Sequence, residues 1–179
     1  MTSEIASPYA AALLSIAESQ SKLIPITEDV RGLRELLGNS EDLRALLANP
    51  LLKSDVKKGV LGRIGEELEP YTRNFLMLLV DKGRISLLDD ICVEYQSLVR
   101  ERSGTVLAEV TSAVPLSGEQ EQAIRQKVLS FAEANQVELD VKTDPDLIGG
   151  VIIKVGSQVI DASLRGQLRR IGLKLSSKS

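Results

Sequence analysis

The sequence predicts an α+β protein in which a six-helix bundle, residues 1–104, precedes a small α+β domain, residues 105–179. The first observation is that apolar residues recur at steps of three and four from about Ile5 to Arg102, which is the period of amphipathic helices. The second is that the period changes to two after Ser103 and Gly104, as in a half-buried strand. The change of period places the domain boundary.

The first part contains six helical segments that are joined by short connections. The signals that separate the later segments are Gly38-Asn39, Asn49-Pro50, Pro70 and Gly83, residues that end helices or open new ones. Ser54 is expected to cap the fourth helix. So many short connections in about one hundred residues favour a bundle over a coiled coil.

The second part begins with a strand, a helix and a strand. Alternating apolar residues predict strands over 106–111 and 137–142. Ser117 and Gln120 match a capping box for a helix that continues to about residue 134.

A hairpin and a last helix follow. Gly156-Ser157 fits a two-residue turn between a strand over 151–155 and a returning strand over 158–160. Asp161 is expected to be the N-cap of the last helix.

Composition limits the classes of function. Hydrophobic residues make up 43% and aromatic residues 3%, so the core must be aliphatic. The net charge of −3 argues against a general nucleic-acid binder. The chain has no histidine and one cysteine, which removes the usual proton shuttle and an internal disulfide. No apolar run is long enough to span a bilayer, and the N-terminus does not resemble a signal peptide, so we expect a cytoplasmic protein.

No stretch of the sequence carries a convincing reactive centre. The loop around Gly156 lacks the Lys-Ser/Thr that a phosphate-binding loop requires, and a hairpin turn explains it better. Asp144, Asp146 and Asp161 suggest a carboxylate cluster, but turn and capping roles account for them with fewer assumptions. Cys92 is expected to be a buried, inert thiol. We therefore expect no catalysis, no metal and no cofactor.

The stretch from Asp144 to Leu168 resembles the C-terminal signature of the delta subunit of F-type ATP synthase, the family of the mitochondrial oligomycin-sensitivity-conferring protein. The match is long and ungapped, and it consists of Asp144-Pro145, Leu147-Ile148-Gly149-Gly150, Ile153, Gly156, Ile160-Asp161, Ser163, Arg165 and Leu168. A looser match covers the N-terminal part, with Tyr9-Ala10-Ala11-Ala12-Leu13, Asn49-Pro50, Asn74-Phe75-Leu76 and Arg84.

The first and fifth helices carry more apolar surface than one core contact needs. One stripe of the first helix consists of Ile5, Tyr9, Ala12, Leu13 and Ile16, and a second stripe beside it is nearly all alanine. The fifth helix is apolar nearly all round, which fits either a central helix or a helix that also binds a partner. The resemblance implies that these helices receive the N-terminal helix of an alpha subunit. The predicted alpha-subunit interface is Ala6, Ala10, Leu14, Phe75, Leu78 and Leu79.

The last eighteen residues are basic. Residues 162–179 carry five basic side chains and no acid, whereas residues 105–161 carry nine acids and four bases. The basic residues suit either the C-terminal end of a helix dipole or an acidic partner; nucleic acid is disfavoured because no aromatic residue lies nearby. The resemblance implies contact with the b subunits of the peripheral stalk. The predicted stalk interface is Arg165, Arg169, Arg170 and Lys174.

The function that the resemblance implies is mechanical. A peripheral-stalk, or stator, subunit links the catalytic head of a proton-driven ATP synthase to its membrane sector, so it is not an enzyme. We expect it at the cytoplasmic or stromal face of the membrane, associated with the membrane only through the complex. The alternative is a cytosolic helical adaptor that is unrelated to the motor.

Overall fold

The computed structural model describes residues 2–132 and 134–166, with side chains from Ile5 onward within those ranges. The chain divides into two units, Met1–Val99 and Arg100–Ser179. The first is helical and the second combines helix and sheet, so the fold is of the α+β class, as the change in hydrophobic period predicts.

The first unit is built from helices whose breaks lie at the predicted turn residues. Ser40 caps α3 by accepting the Leu43 N–H at 3.2 Å. Ser54 is the first residue of α4 and not its N-cap; Lys53 occupies that position and its side chain makes no capping bond. The helices are α1 (Thr2–Ser19), α2 (Leu23–Asn39), α3 (Glu41–Ala48), α4 (Ser54–Ile64), α5 (Pro70–Asp81), a 3-10 helix (Ile85–Leu87) and α6 (Leu88–Ser103).

The core of the first unit is aliphatic, as the composition predicts. Leu and Ile side chains such as Leu13, Leu76 and Ile91 are buried at its centre, and alanines of α1 fill the remaining space. A large side chain with a polar group in this core is Tyr95, whose hydroxyl lies 3.2 Å from the hydroxyl of Thr27. This hydrogen bond joins α6 to α2 where both are packed against the core.

The second unit contains a mixed four-stranded sheet with the strand order β2-β1-β3-β4. The pairing of β1 with β2 is parallel, and α7 makes the crossover that a parallel pair requires. The pairs β1–β3 and β3–β4 are antiparallel. The elements are β1 (Thr105–Ser112), α7 (Gly118–Ala132), β2 (Gln136–Thr143), β3 (Val151–Val155) and β4 (Gln158–Asp161).

Local signals define the ends of these elements. The capping box of α7 is confirmed: the Gln120 N–H donates to Ser117 Oγ at 3.3 Å, and the Ser117 N–H donates to Gln120 Oε1 at 2.9 Å. The hairpin between β3 and β4 is confirmed, with Gly156 at φ 58°. After β4 the cap is Ser163 and not Asp161, because Ser163 Oγ accepts the Gly166 N–H at 3.0 Å. Asp161 instead accepts both the N–H and the hydroxyl of Ser163.

The two faces of the sheet have different environments. Alternate residues such as Ala108, Val110 and Val137 pack against Ile124 and Val128 of α7 and form the core of the second unit. The intervening residues form the other face, which is largely charged. There, Glu109 of β1 and Lys154 of β3 are register partners and form an ion pair at 3.2 Å. Lys154 is therefore a surface side chain of the sheet and not part of a phosphate loop.

Candidate interaction surfaces

Helix α1 has two apolar faces with different exposure. The face that packs into the core carries Ala6, Ala10, Leu14 and Ala17, all buried. The neighbouring face consists of larger side chains that remain accessible: Ile5 is 40% exposed and Ile16 is 38% exposed, with half-buried Tyr9 and exposed Ala12 between them. The alanine stripe is thus the inner face of the helix, and the isoleucine stripe is the outer one.

The small size of alanine explains this orientation. The distance between two packed helix axes depends on the side chains at the contact, and short side chains allow the closest approach. Ala6, Ala10 and Ala17 let the backbone of α1 approach the leucines of its neighbours, so that these leucines become fully enclosed. The isoleucines are then left outside because one helix cannot bury both stripes against one core.

Helix α5 is also divided into two faces. Phe75, Leu76 and Leu79 are buried in the core, but Tyr71 is 37% exposed and Leu78 is 44% exposed. Helix α5 is therefore packed into the core on one side and exposes apolar side chains on another, and its contact with a partner stays a prediction.

A hydrogen bond joins the exposed side of α5 to the residue that follows α1. The Tyr71 hydroxyl donates to Gln20 Oε1 at 2.9 Å. Gln20 lies in the turn directly after α1, and its N–H still donates to Ile16 O at 3.0 Å, so it follows the Ile16 stripe at the C-terminal end of the helix. The hydrogen bond therefore brings the C-terminal end of α1 next to the start of α5. We call the accessible apolar side chains of these two helices the outer face, which consists of Ile5, Tyr9, Ala12, Ile16, Tyr71 and Leu78.

The outer face carries almost no charge. No charged residue occurs from Ile5 to Ala17, and Arg73 is the one charged residue between Tyr71 and Val80. The nearest ion pair that follows α1 joins Lys22 to Glu69 at 3.4 Å. A surface of this kind suits the apolar stripe of an amphipathic helix.

The residues predicted for the alpha-subunit interface differ in exposure. Leu78 lies on the outer face, whereas the other five belong to the core of the first unit: Ala6, Ala10, Leu14, Phe75 and Leu79. Their side chains are not at the surface of the unit. On α1 and α5, the exposed large apolar residues that are absent from the predicted interface are Ile5, Ile16 and Tyr71. The signal that identifies this region is the long uncharged run of α1, which extends over both of its faces.

Of the residues predicted for the stalk interface, Arg165 lies within the described residues and is exposed. It borders a pocket together with Asp144, Asp146 and Asp161. Arg169, Arg170 and Lys174 lie outside the residues that the structure describes. The geometry of the basic segment as a whole therefore stays a prediction.

The three aspartates around this pocket have structural tasks. Asp144 Oδ1 accepts the Asp146 N–H at 3.0 Å and closes a turn. Asp161 orients Ser163, the cap described above. Within residues 2–132 and 134–166, no group of three or more potential ligands among His, Cys, Asp and Glu is arranged to hold a metal ion. The turn role that the sequence favours for Asp144 and Asp146 is observed, whereas Asp161 orients the capping residue and is not itself the cap.

Cys92 is buried in the core beside Ile91. Burial raises the pKa of its thiol from 9.0 to about 12, and the nearby charge of Asp89 acts in the same direction. The thiolate is the reactive form of cysteine, so the predicted inert thiol agrees with its environment. Among the helices of the described part, none is both long and apolar enough to cross a membrane.

These features define a protein that binds other chains: two small units, one of which presents a nearly uncharged apolar helix face. Residues 5–175 match the family model described as ATP synthase delta (OSCP) subunit, and the chain belongs to this family. It is a structural stator subunit of the F-type ATP synthase and is not itself catalytic. The alternative of an adaptor unrelated to the motor is wrong.

Individual relatives agree over nearly the whole length. The chain is 54% identical over 174 residues to ATP synthase subunit delta of Trichormus variabilis, which covers 97% of this chain and 95% of the relative. It is 53% identical over 173 residues to the delta subunit of Gloeothece citriformis, with coverage of 96% and 94%. A chain in the cryo-EM structure of the Toxoplasma gondii mitochondrial ATP synthase hexamer shares the fold, with a TM-score of 0.74, 23% identity and coverage of 95% and 96%.

Proposed function

We propose that the two units hold two different partners, so that the chain connects the catalytic head of the synthase to its peripheral stalk. Residues 1–104 act as a six-helix bundle that binds the N-terminal helix of an alpha subunit. Residues 105–179 bind the b subunits of the stalk. The complex keeps the chain peripheral to the energy-transducing membrane, on its cytoplasmic or stromal side.

The outer face is the observation that carries this proposal. Exposed apolar side chains from two adjacent helices form a surface that water solvates poorly, and a partner helix that covers them removes that surface from water. An apolar contact of this kind does not depend on directional bonds, so a force applied across it does not break individual hydrogen bonds. Stable protein–protein interfaces bury about 1,200–2,000 Å², and we expect the contact with the alpha helix to add up to this range together with the stalk contact.

The second half of the proposal rests on charge. Arg165 is exposed at the start of the basic segment that runs to Ser179. Opposite charges on a stalk protein would accelerate association and orient the two chains. Charge reversal of Arg165, Arg169 and Arg170 to Glu is expected to weaken binding to a peptide from the C-terminal end of the b chain about tenfold at low salt, without changing binding to the alpha peptide.

The test of the first half uses two leucines of similar exposure. Leu78 lies on the outer face, and Leu36 lies on α2 with 38% exposure. Leu78→Asp is expected to lower affinity for the alpha N-terminal peptide at least a hundredfold in isothermal titration calorimetry, because it places a carboxylate in an apolar contact. Leu36→Asp is the matched control and should bind like the unmodified chain. Equal affinity of both variants would refute the proposed surface.

A further inference from the structure

One end of the outer face is polar. Tyr71 and Gln20 are joined there by the 2.9 Å hydrogen bond between the tyrosine hydroxyl and Gln20 Oε1, and both residues are exposed. Asn74, three residues after Tyr71 on α5, is exposed as well. We call Gln20, Tyr71 and Asn74 the polar end. Each of the three side chains keeps hydrogen-bonding capacity in addition to the bond described, including the amide N–H groups of Gln20 and Asn74.

The remainder of the outer face gives a docked helix no preferred position along its length. From Ile5 to Ile16 the stripe is apolar and extends about 16 Å, or three helical turns. Apolar contact is not directional. A helix with a repeating apolar stripe therefore fits almost equally well after a shift of one turn, about 5.4 Å.

We propose that the polar end fixes the register of the helix that binds the outer face; this inference rests on the proposed function. In the correct register, the docked helix places a neutral polar residue against Gln20, Tyr71 and Asn74. In a register shifted by one turn, an apolar residue covers them and leaves hydrogen-bonding groups buried without partners. Each such group costs about a factor of ten in affinity.

The occupant that fits is accordingly a helix of about four turns, enough to extend from Ile5 of α1 to Gln20 just after its end. Its stripe is apolar and uncharged for three turns and ends in one hydrogen-bonding side chain. An acidic or basic residue inside the stripe is disfavoured, because the outer face offers it no opposite charge. The binding of such a helix should change less than twofold between low and high salt.

The experiment removes the polar groups but keeps the shape of the surface. The full chain carries Tyr71→Phe and Gln20→Leu, singly and together, and binds the alpha N-terminal peptide with a photo-crosslinker at one end. We expect each single variant to lose about tenfold in affinity. The double variant should produce crosslinks at two positions separated by one helical turn, whereas the unmodified chain gives one set. Thermal unfolding checks that all variants are folded.

The outcomes separate the two proposals. If the double variant keeps a single set of crosslinks and the original affinity, the register inference is overturned. In that case a loss of binding in Leu78→Asp still supports the docking surface. If the peptide does not bind the unmodified chain, both proposals fail. Asn74→Leu is a further check, because it enlarges the apolar stripe and is expected to permit the shifted register as well.

Discussion

On α1 and α5, the size of an apolar side chain does not decide whether it faces the core or the solvent. On α1, Ala6, Ala10 and Ala17 are buried together with Leu13 and Leu14, while Ile5 and Ile16 stay partly in water. Burial of isoleucine removes more apolar area from water than burial of alanine, so area alone does not explain why these alanines are inside. The comparison teaches that close helix packing decides which stripe goes inside. The larger stripe that is left outside then marks the surface available to a partner.

The sharpest test of this comparison uses two adjacent leucines of α5. Leu79 is fully buried, whereas Leu78 is exposed. Leu79→Ala should lower the free energy of unfolding by about 2–5 kcal/mol, because it leaves a cavity in the core. Leu78→Ala should cost less than about 1 kcal/mol while weakening the binding of the alpha peptide. Urea unfolding measures both, and similar losses of stability in the two variants would contradict the division into faces.

A second test enlarges alanines on the two faces of α1. Ala10 is fully buried, and Ala12 is exposed. Ala10→Leu forces extra methyl groups into a packed helix contact and should destabilise the first unit by about 1–3 kcal/mol. Ala12→Leu is the matched control and should change stability by less than about 0.5 kcal/mol. If both leucines are tolerated equally in thermal unfolding, the alanine face does not pack as closely as described.

The inner faces share their core with Cys92 of α6, which gives a pH-dependent test. In the folded chain burial raises the pKa of this thiol to about 12, so it keeps its proton at pH values where the unfolded chain loses it. The unfolded state then binds fewer protons, and stability must fall as pH rises. The expected loss is about 1 kcal/mol per pH unit between pH 9 and about 12.

Cys92→Ala isolates that contribution, since it removes the thiol and leaves Tyr95, whose pKa burial also raises, in both chains. Urea unfolding at several pH values between about 8 and 11 should show a shallower decline for the variant. Parallel declines would show that the thiol is not enclosed in the core.

The smallest expected effect concerns one hydroxyl on the inner face of α5. Thr72 is buried, and within the described part of the chain its Oγ1 has no hydrogen-bond partner. Thr72→Val keeps the shape and removes the unpaired group, so it should raise the free energy of unfolding by about 1 kcal/mol. Thr27→Val is the contrasting control. The Thr27 hydroxyl donates to Leu23 O at 2.6 Å, so its removal should lower the free energy of unfolding. A loss of stability in both variants would indicate that Thr72 has a partner.

The sequence was sufficient where a single local signal determines the structure. The period change at Gly104, the capping box of Ser117 and Gln120 and the turn at Gly156 all depend on neighbouring residues, and each is observed. The cap after β4 was assigned to Asp161 because aspartate is a common N-cap. The cap is Ser163, which Asp161 orients from two residues away, and a choice between two adjacent capping residues depends on where the strand ends.

The interaction surface was predictable only in part for a related reason. Helical spacing identified two apolar stripes on α1 and an apolar excess on α5. Which stripe faces the core depends on the neighbouring helices, and this information is not contained in the periodicity of one helix. The bond between Tyr71 and Gln20 joins residues that are 51 positions apart, and no local pattern predicts it. The family resemblance pointed to this pair of helices but did not specify their faces.

The position of β1 inside the sheet has a consequence for the order in which the chain is made. β1 is synthesised before the other strands, yet it lies between β2 and β3 in the finished sheet. During synthesis, one edge of β1 can pair only after α7 and β2 have been made. The other edge can pair only after β3 has been made. Until Val155 has emerged, β1 exposes an unpaired backbone edge, the kind of edge to which other nascent chains adhere. Between the synthesis of Ser112 and that of Val155, the chain therefore carries an unpaired strand edge that other chains can bind.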